Sequence, residues 1–380
     1  MKIAILTQPL KSNYGCILQA YALQTVLIRM GHSVEVIKRE YPMPSLKVRL
    51  KRILRFLHTL YSKCFKGKKY LVLSNPFSEE YTYLPKSKVY DFTDKYISLS
   101  PSIYTTESLT DYFIEHDFDA CIVGSDQVWR PRYSPCITNY FLDFIPVNIK
   151  TKRIAYAASF GTSEWEFTPY ETELCAQLAR NFSAISVRED SGVRLCSEKL
   201  SVGAELVMDP TMLLQTIDYD GLIARSDVEH TDECLACYIL DETQEKSRLI
   251  SEIAEELNVN PRYLDARVID SNYNNLSVEE WLNGIREAKY VAVDSFHGCV
   301  FSILYKKQFV VIANPQRGLS RFESLLSNLG LTYRMITSLE EFHERKQYLM
   351  APIDYDIIDA RILEMRDKSL RFLNNALNQS

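Results

Sequence analysis

Residues 290–302, YVAVDSFHGCVFS, set a histidine where a strand hands over to a helix. A run of small and β-branched residues ends at Asp294 and Ser295, and apolar residues then recur at helical spacing. His297 therefore falls at a helix N-terminus, and Gly298 allows close backbone approach. Free amide N–H groups and the positive end of the helix dipole converge there, a natural seat for phosphate or carboxylate. The same field disfavours imidazolium, so the ring is expected to be neutral and able to accept a proton. The plain alternative is a buried histidine that caps the helix.

Three further stretches carry chemistry. Arg188 closes the strand AISVR, and an Arg at the carboxyl edge of a sheet grips an anion with two parallel hydrogen bonds. Its alternative is a local salt bridge to Glu189 or Asp190. Residues 314–321, NPQRGLSR, bring Arg317 and Arg321 to the same edge as His297 if the strands run parallel; solvated surface arginines are the alternative. The loop GSDQVWR, 124–130, offers Asp126, Gln127 and Trp129. A carboxylate, an amide and an indole suit a sugar, with hydroxyls hydrogen-bonded and a ring face stacked. Asn13 and Gly15, at the start of the first helix, are a similar case; the alternative is a turn, with Trp129 packed inside in the 124–130 stretch.

Several chemistries are excluded by what is missing. No GxGxxG follows the first strand, and no GxxxxGK[ST] occurs. There is no HExxH or dense His/Cys/carboxylate cluster, so no metal is expected. Cys234 and Cys237 form a CxxC inside an apparent strand, where they read as buried thiols.

The positioning elements are legible as a rhythm. Strands are expected at 2–7, 119–124, 153–160, 184–188 and 204–208, each followed by turn-forming or helical sequence. The rhythm restarts at Cys234 and ends in one helix over 353–378. This argues for α/β architecture: two doubly wound, Rossmann-like domains facing a cleft. The chain is 380 residues long, which also favours two domains. The boundaries expected are 1–214, 215–352 and a terminal helix, 353–380, that packs back on the first domain.

No apolar run reaches the ~20 residues that span a bilayer. The N-terminal MKIAILT reads as a strand, and irregularly spaced cysteines suit a reducing compartment, so a cytoplasmic location is expected. The net charge of −5 hides nine Lys/Arg and no acid between Tyr41 and Ser78. The remainder carries 35 basic against 49 acidic residues, which excludes a general nucleic-acid binder.

In order, NYGCILQAYALQ, VGSDQVW, AYAASFG, ISVRED, VMDPT and DSFHG resemble the polysaccharide pyruvyl transferase family, over most of the chain. The resemblance implies a fold like that of the GT-B glycosyltransferases. It also implies transfer of pyruvate from phosphoenolpyruvate to two sugar hydroxyls, as a ketal, in bacterial exopolysaccharide assembly. His297 then carries over as the catalytic residue and Arg188 as a donor ligand, with Asp126 a candidate second base. Some members have Arg-Leu before this His, where this chain has Ser295-Phe296. The donor would be held by Arg188, the amides around Ser295, Phe296 and Gly298, and Arg317 or Arg321. Asn13, Gly15, Gln127 and Trp129 fall to the acceptor, in the first domain. Phosphoenolpyruvate is a co-substrate here, and no cofactor is expected. The rival readings are a glycosyltransferase using a nucleotide sugar, with Glu323 on the ribose, and a glycan-binding protein without catalysis.

Leu46, Leu50, Ile53, Leu57, Leu60 and Cys64 share one face of a helix expected over 45–70, with Lys47, Lys51 and Arg55 off that stripe. Such a helix either packs on the first domain with a solvated basic side or rests on anionic lipid, bringing the site to a lipid-linked sugar. On the lipid reading, the protein sediments with anionic vesicles at low salt and is released by salt. Retention in the supernatant, or no effect of exchanging Lys47, Lys51 and Arg55 for Gln, overturns it.

Overall fold

The computed structural model describes residues 1–10, 13–42, 88–226, 233–264, 267–269, 272–274, 276–314 and 318–378. The basic segment at 45–70 and Arg317 lie outside the described residues.

In the first domain the order is β1 (Lys2–Leu6), α1 (Tyr14–Arg29), β2 (Ser33–Val36), α2 (Lys88–Tyr96), α3 (Thr106–His116), β3 (Ala120–Val123) and β4 (Lys152–Ala158). Then come α4 (Pro169–Ala179), β5 (Ala184–Val187), α5 (Asp190–Leu195) and β6 (Glu205–Leu206). The strands form one parallel sheet in the order β2-β1-β3-β4-β5-β6. Ile3 to Leu6, Ala120 to Val123 and Ile154 to Ala158 are without solvent access, because helices cover both faces. The chain turns outward from β1 to β2 and returns on the other side as β3. The crevice between the carboxyl ends of β1 and β3 is thus the switch point where such sheets hold ligands.

The second domain begins with α6 (Thr216–Ile223), β7 (Leu235–Tyr238), α7 (Gln244–Leu257) and β8 (Pro261–Tyr263). An antiparallel pair, β9 (Arg267–Ile269) and β10 (Asn272–Asn274), leads to α8 (Val278–Glu287). Next are β11 (Tyr290–Val293), α9 (Phe296–Leu304), β12 (Gln308–Ile312), α10 (Ser320–Leu329), β13 (Met335–Ile336) and α11 (Leu339–Met350). Its parallel sheet runs β13-β12-β11-β7-β8, with the switch between β11 and β7. Last comes α12 (Tyr355–Asn378), which lies against the first domain. Ser369 Oγ accepts from Met208 N at 2.9 Å, Lys152 Nζ donates to Leu377 O at 2.6 Å, and Phe372 packs on Tyr156.

Two expected elements differ in detail. The strand over 153–160 ends at Ala158, shifts register between Ala155 and Ala158, and has Ala157 at φ of 49°, so its carboxyl end is irregular. The strand over 204–208 is only two residues long, because Asp209-Pro210 opens a 3₁₀ turn instead.

Every residue of α9 is buried. An all-apolar helix belongs in the middle of a protein, and α9 sits at the seam between the domains. Beside it Tyr14 of α1 stacks on Trp281 of α8 at 5.3 Å and donates to Leu276 O at 2.9 Å. Two glycines allow the domains to touch. A Cβ on Gly15 would lie 2.0 Å from His297 Nδ1, and one on Gly318, at φ of 88°, would lie 2.4 Å from Gly161 O.

Trp281 is fully buried and touches Tyr14, Tyr238 and Phe301. Trp281→Ala is expected to cost about 3–5 kcal/mol. Because one of its contacts belongs to the first domain, urea unfolding should shift as one transition. A first-domain transition left in place would show that the seam carries little energy.

Candidate active site

The switch points of the two sheets face each other across a cleft of about 340 Å³. Gln8, Asn13, Tyr41, Asp126, Gln127 and Tyr133 line its first-domain side. Ser295, Phe296, His297, Asn314 and Arg321 line the other.

Local sequence explains the first wall. Asn13 Oδ1 caps α1 by accepting from Gly15 N and Cys16 N at 3.0 and 3.3 Å. After β3 the chain turns sharply: Asp126 has φ of 66°, a region open to Asp and Asn at modest cost. Gln8 Nε2 donates to Gln127 O at 2.9 Å, and Gln127 Oε1 accepts from Arg130 Nη1 at 2.9 Å. Arg130 is itself clamped by both oxygens of Glu166, each at 2.9 Å.

Trp129, expected as a sugar platform, is a core residue instead. It has no solvent access, stacks on Phe141 at 4.9 Å, and donates Nε1–H to Tyr140 O at 2.9 Å. The aromatic rings on the first-domain wall of the cleft, among the described residues, are Tyr41 and Tyr133, each about two-fifths exposed. Nothing in their spacing marked them, since only folding brings them together.

Arg188 is also corrected. Its side chain has no solvent access and lies behind the cleft wall. Nη1 donates to Asp209 Oδ2 at 2.7 Å and Nη2 to Asp126 Oδ1 at 3.0 Å, while Nε is 3.9 Å from Glu189 Oε2. Its fork is taken by carboxylates from two distant loops, so it shapes the site from behind and offers no open grip on an anion. Phe296 covers it, with the guanidinium 4.8 Å from the ring centroid.

Beside Arg130, which Glu166 clamps, Arg321 also lines the cleft. Among the described residues it has no hydrogen bond or ion pair, and it lies 5.8 Å from the Phe296 centroid at the start of α10. Burial, and then repulsion from Arg188, pull its pKa down to about 10, which leaves it charged at neutral pH.

His297 stands at the first turn of α9, capped by Ser295, whose Oγ accepts from Gly298 N at 3.5 Å. It is 6% exposed, and its Nε2 is 3.6 Å from Asp209 Oδ2. Asp209, which the sequence marks only within the VMDPT stretch, is the hub of the site. Its Oδ1 accepts from Thr211 N and Oγ1 at 3.0 and 2.7 Å, and its Oδ2 also accepts from Ser125 Oγ at 3.1 Å. Burial would raise its pKa, but His297, Arg188 and Thr211 together hold it well below the carboxylate range. Asp126 is similar: burial pushes it up, and Arg188, His297 and Arg321 outweigh this and lower it. A carboxylate so stabilised is a weak base, which disfavours the second-base role expected of Asp126. Glu189, by contrast, is raised by burial despite accepting from Phe160 N at 2.9 Å.

Among the described residues no group of three or more His, Cys, Asp or Glu could hold a metal ion. No helix among them is long and apolar enough to cross a membrane.

Two Rossmann-like domains meeting at a ligand cleft define the GT-B-like fold. The likeness to solved structures is at this level. A putative UDP-N-acetylglucosamine 2-epimerase from Listeria monocytogenes superposes with a TM-score of 0.54 at 8% identity, over 100% of this chain and 97% of that one. MurG of Acinetobacter baumannii gives 0.44 at 10% identity, over 100% and 99%. UDP-GlcNAc 2-epimerase from Neisseria meningitidis gives 0.45 at 13%, over 97% and 100%. No curated protein sequence matches the chain. The family model for polysaccharide pyruvyl transferase matches residues 13–316, and the chain belongs to that family.

The lowered carboxylates fix a pH signature. Above about pH 4 Asp126 is ionised in both states, and its pairing with Arg188 contributes in full. As the pH falls, the unfolded chain binds the proton first, and the contribution is lost through the lower native pKa. The stability gap between wild type and Asp126→Asn, from urea unfolding, should therefore be widest at pH 7 and shrink below about pH 4. A gap independent of pH would mean that Asp126 is not held as an ion.

Proposed function

We propose that the protein transfers a pyruvyl group from phosphoenolpyruvate to two hydroxyls of a sugar, forming a ketal on a cell-surface polysaccharide or its precursor, and that it does so in the cytoplasm. Family membership supports the reaction class. The observation that carries the donor is Arg321, a half-buried arginine at the cleft whose sealed Nε has no hydrogen-bond partner among the described residues, beside the first turns of α9 and α10. Phosphoenolpyruvate carries a phosphate and a carboxylate. A planar cation and helix N-termini answer both without a metal. Arg321 thus takes the place in donor binding that Ser295-Phe296 leaves open. On the acceptor side the rings of Tyr41 and Tyr133, with Gln8, Asn13 and Gln127, suit sugar faces and hydroxyls.

The chemistry needs one proton relay. One hydroxyl oxygen bonds to the enol carbon while His297 takes its proton. The methylene carbon gains a proton, returned by His297, and becomes a methyl. The bond from the former enol carbon to the phosphate oxygen then breaks, and phosphate leaves with the electron pair. The second hydroxyl closes the ring, and its proton departs with the phosphate.

Thermal shift tests the donor. Phosphoenolpyruvate at about 100 times its dissociation constant should stabilise the fold by ~2.7 kcal/mol. Arg321→Ala should lose that shift. His297→Ala should keep it, yet form product at least about 10²-fold more slowly. Stabilisation by a nucleotide diphosphate sugar, and none by phosphoenolpyruvate, would overturn the reading in favour of glycosyl transfer.

A further inference from the structure

Asp209 stands between two side chains, Arg188 and His297, that the domains bring together. It comes from the end of β6, Arg188 from the end of β5, and His297 from the second domain. Both carboxylate oxygens are pinned, one by Thr211 and the other by Arg188 and Ser125. The carboxylate is 1% exposed and cannot swing away.

The two nitrogens of His297 are unlike. Nε2 has no solvent access and no hydrogen-bond partner among the described residues, and it faces Asp209 Oδ2 at 3.6 Å. Nδ1 lies beside Gly15 and is not sealed in this way. If Nδ1 carried the proton, the Nε2 lone pair would face a carboxylate in a buried setting, with no donor to answer it. With the proton on Nε2, an N–H dipole points at that carboxylate. A separation of 3.6 Å is an electrostatic contact and not yet a hydrogen bond. Such contacts tighten when a site is occupied.

We propose that Asp209 is the positioning residue of this site: it holds His297 as the Nε2–H tautomer and leaves the Nδ1 lone pair to handle the proton on the cleft side. The inference rests on His297 being the acid–base group of the proposed function. When a sugar hydroxyl gives up its proton, an O–H bond breaks and an Nδ1–H bond forms, and the oxygen keeps the pair it uses to bond carbon. The ring becomes a cation facing Asp209, which stays ionised throughout. Nε2–H does not move. Asp209 touches neither reacting partner and acts only through the ring.

The test is nitrogen NMR on the full chain with ¹⁵N-labelled histidine and no ligand, the His297 signal being identified by its loss in His297→Gln. The neutral ring should show a protonated Nε2 and an unprotonated Nδ1. A protonated Nδ1, or the mixture seen for a free imidazole, overturns the proposal. Asp209→Asn should remove the single tautomer and lower kcat about 10²-fold or more, with KM for phosphoenolpyruvate changed far less. Wild-type kcat in that variant also overturns it. Should the variant fail to fold, the wild-type spectrum still decides. The spectrum needs no substrate, so the two readings fail separately. A protonated Nε2 without turnover of phosphoenolpyruvate sinks the donor assignment alone, and turnover with a protonated Nδ1 sinks the role of Asp209 alone.

Discussion

A guanidinium without access to water must have its charge answered by carboxylates at hydrogen-bond distance, or it costs several kcal/mol. Arg188 is such a group, and much of the site follows from satisfying it. It draws Asp126 from the loop after β3 and Asp209 from the end of β6 to one point. That fixes the left-handed turn at Asp126 and, through Ser125 and Thr211, the surrounding backbone. The same carboxylate then meets His297 from the other domain. One buried cation thereby organises a surface on which another cation, Arg321, remains unpaired.

The seam shows why the site needs both domains. The α9 helix has no polar face to give to water, so it is stable only between them. Its N-terminus is brought against α1 at a point where only a residue without a side chain fits. Gly15 is thus part of the wall around His297, not a ligand group in its own right. The aromatic contacts of Tyr14, Trp281, Tyr238 and Phe301 surround this meeting point with rigid rings.

Much of this was legible in the sequence, and the limits have physical causes. Buried parallel strands are runs of apolar residues, so 2–7, 119–124 and 290–295 announced themselves. His297 was visible because a strand-to-helix junction is local, and its setting at a capped helix start is a property of a dozen adjacent residues. Arg188 and Trp129 were misplaced for one shared reason. Exposure at a sheet edge depends on what covers it, and Phe296 and Phe141 come from elsewhere in the chain. Asp209 was overlooked because its importance is wholly long-range, and a residue before proline looks like punctuation. Helices α2 and α3 bury few residues, Val89, Phe92 and Thr93 in the one and Leu109 and Phe113 in the other, so they are far less apolar than the seam helix and stood out less.

The last helix has a consequence for how the protein comes into being. Tyr156 sits in the fourth strand of the first domain, yet it is covered by Phe372, and the backbone of Met208 is tied to Ser369. Between those partners the ribosome must make all of the second domain. Domains often fold as they emerge, N-terminal first. Here the first domain waits with an uncovered sheet face until the final helix is released. The cleft is therefore assembled only once α12 has left the ribosome, by closing a clasp across both halves.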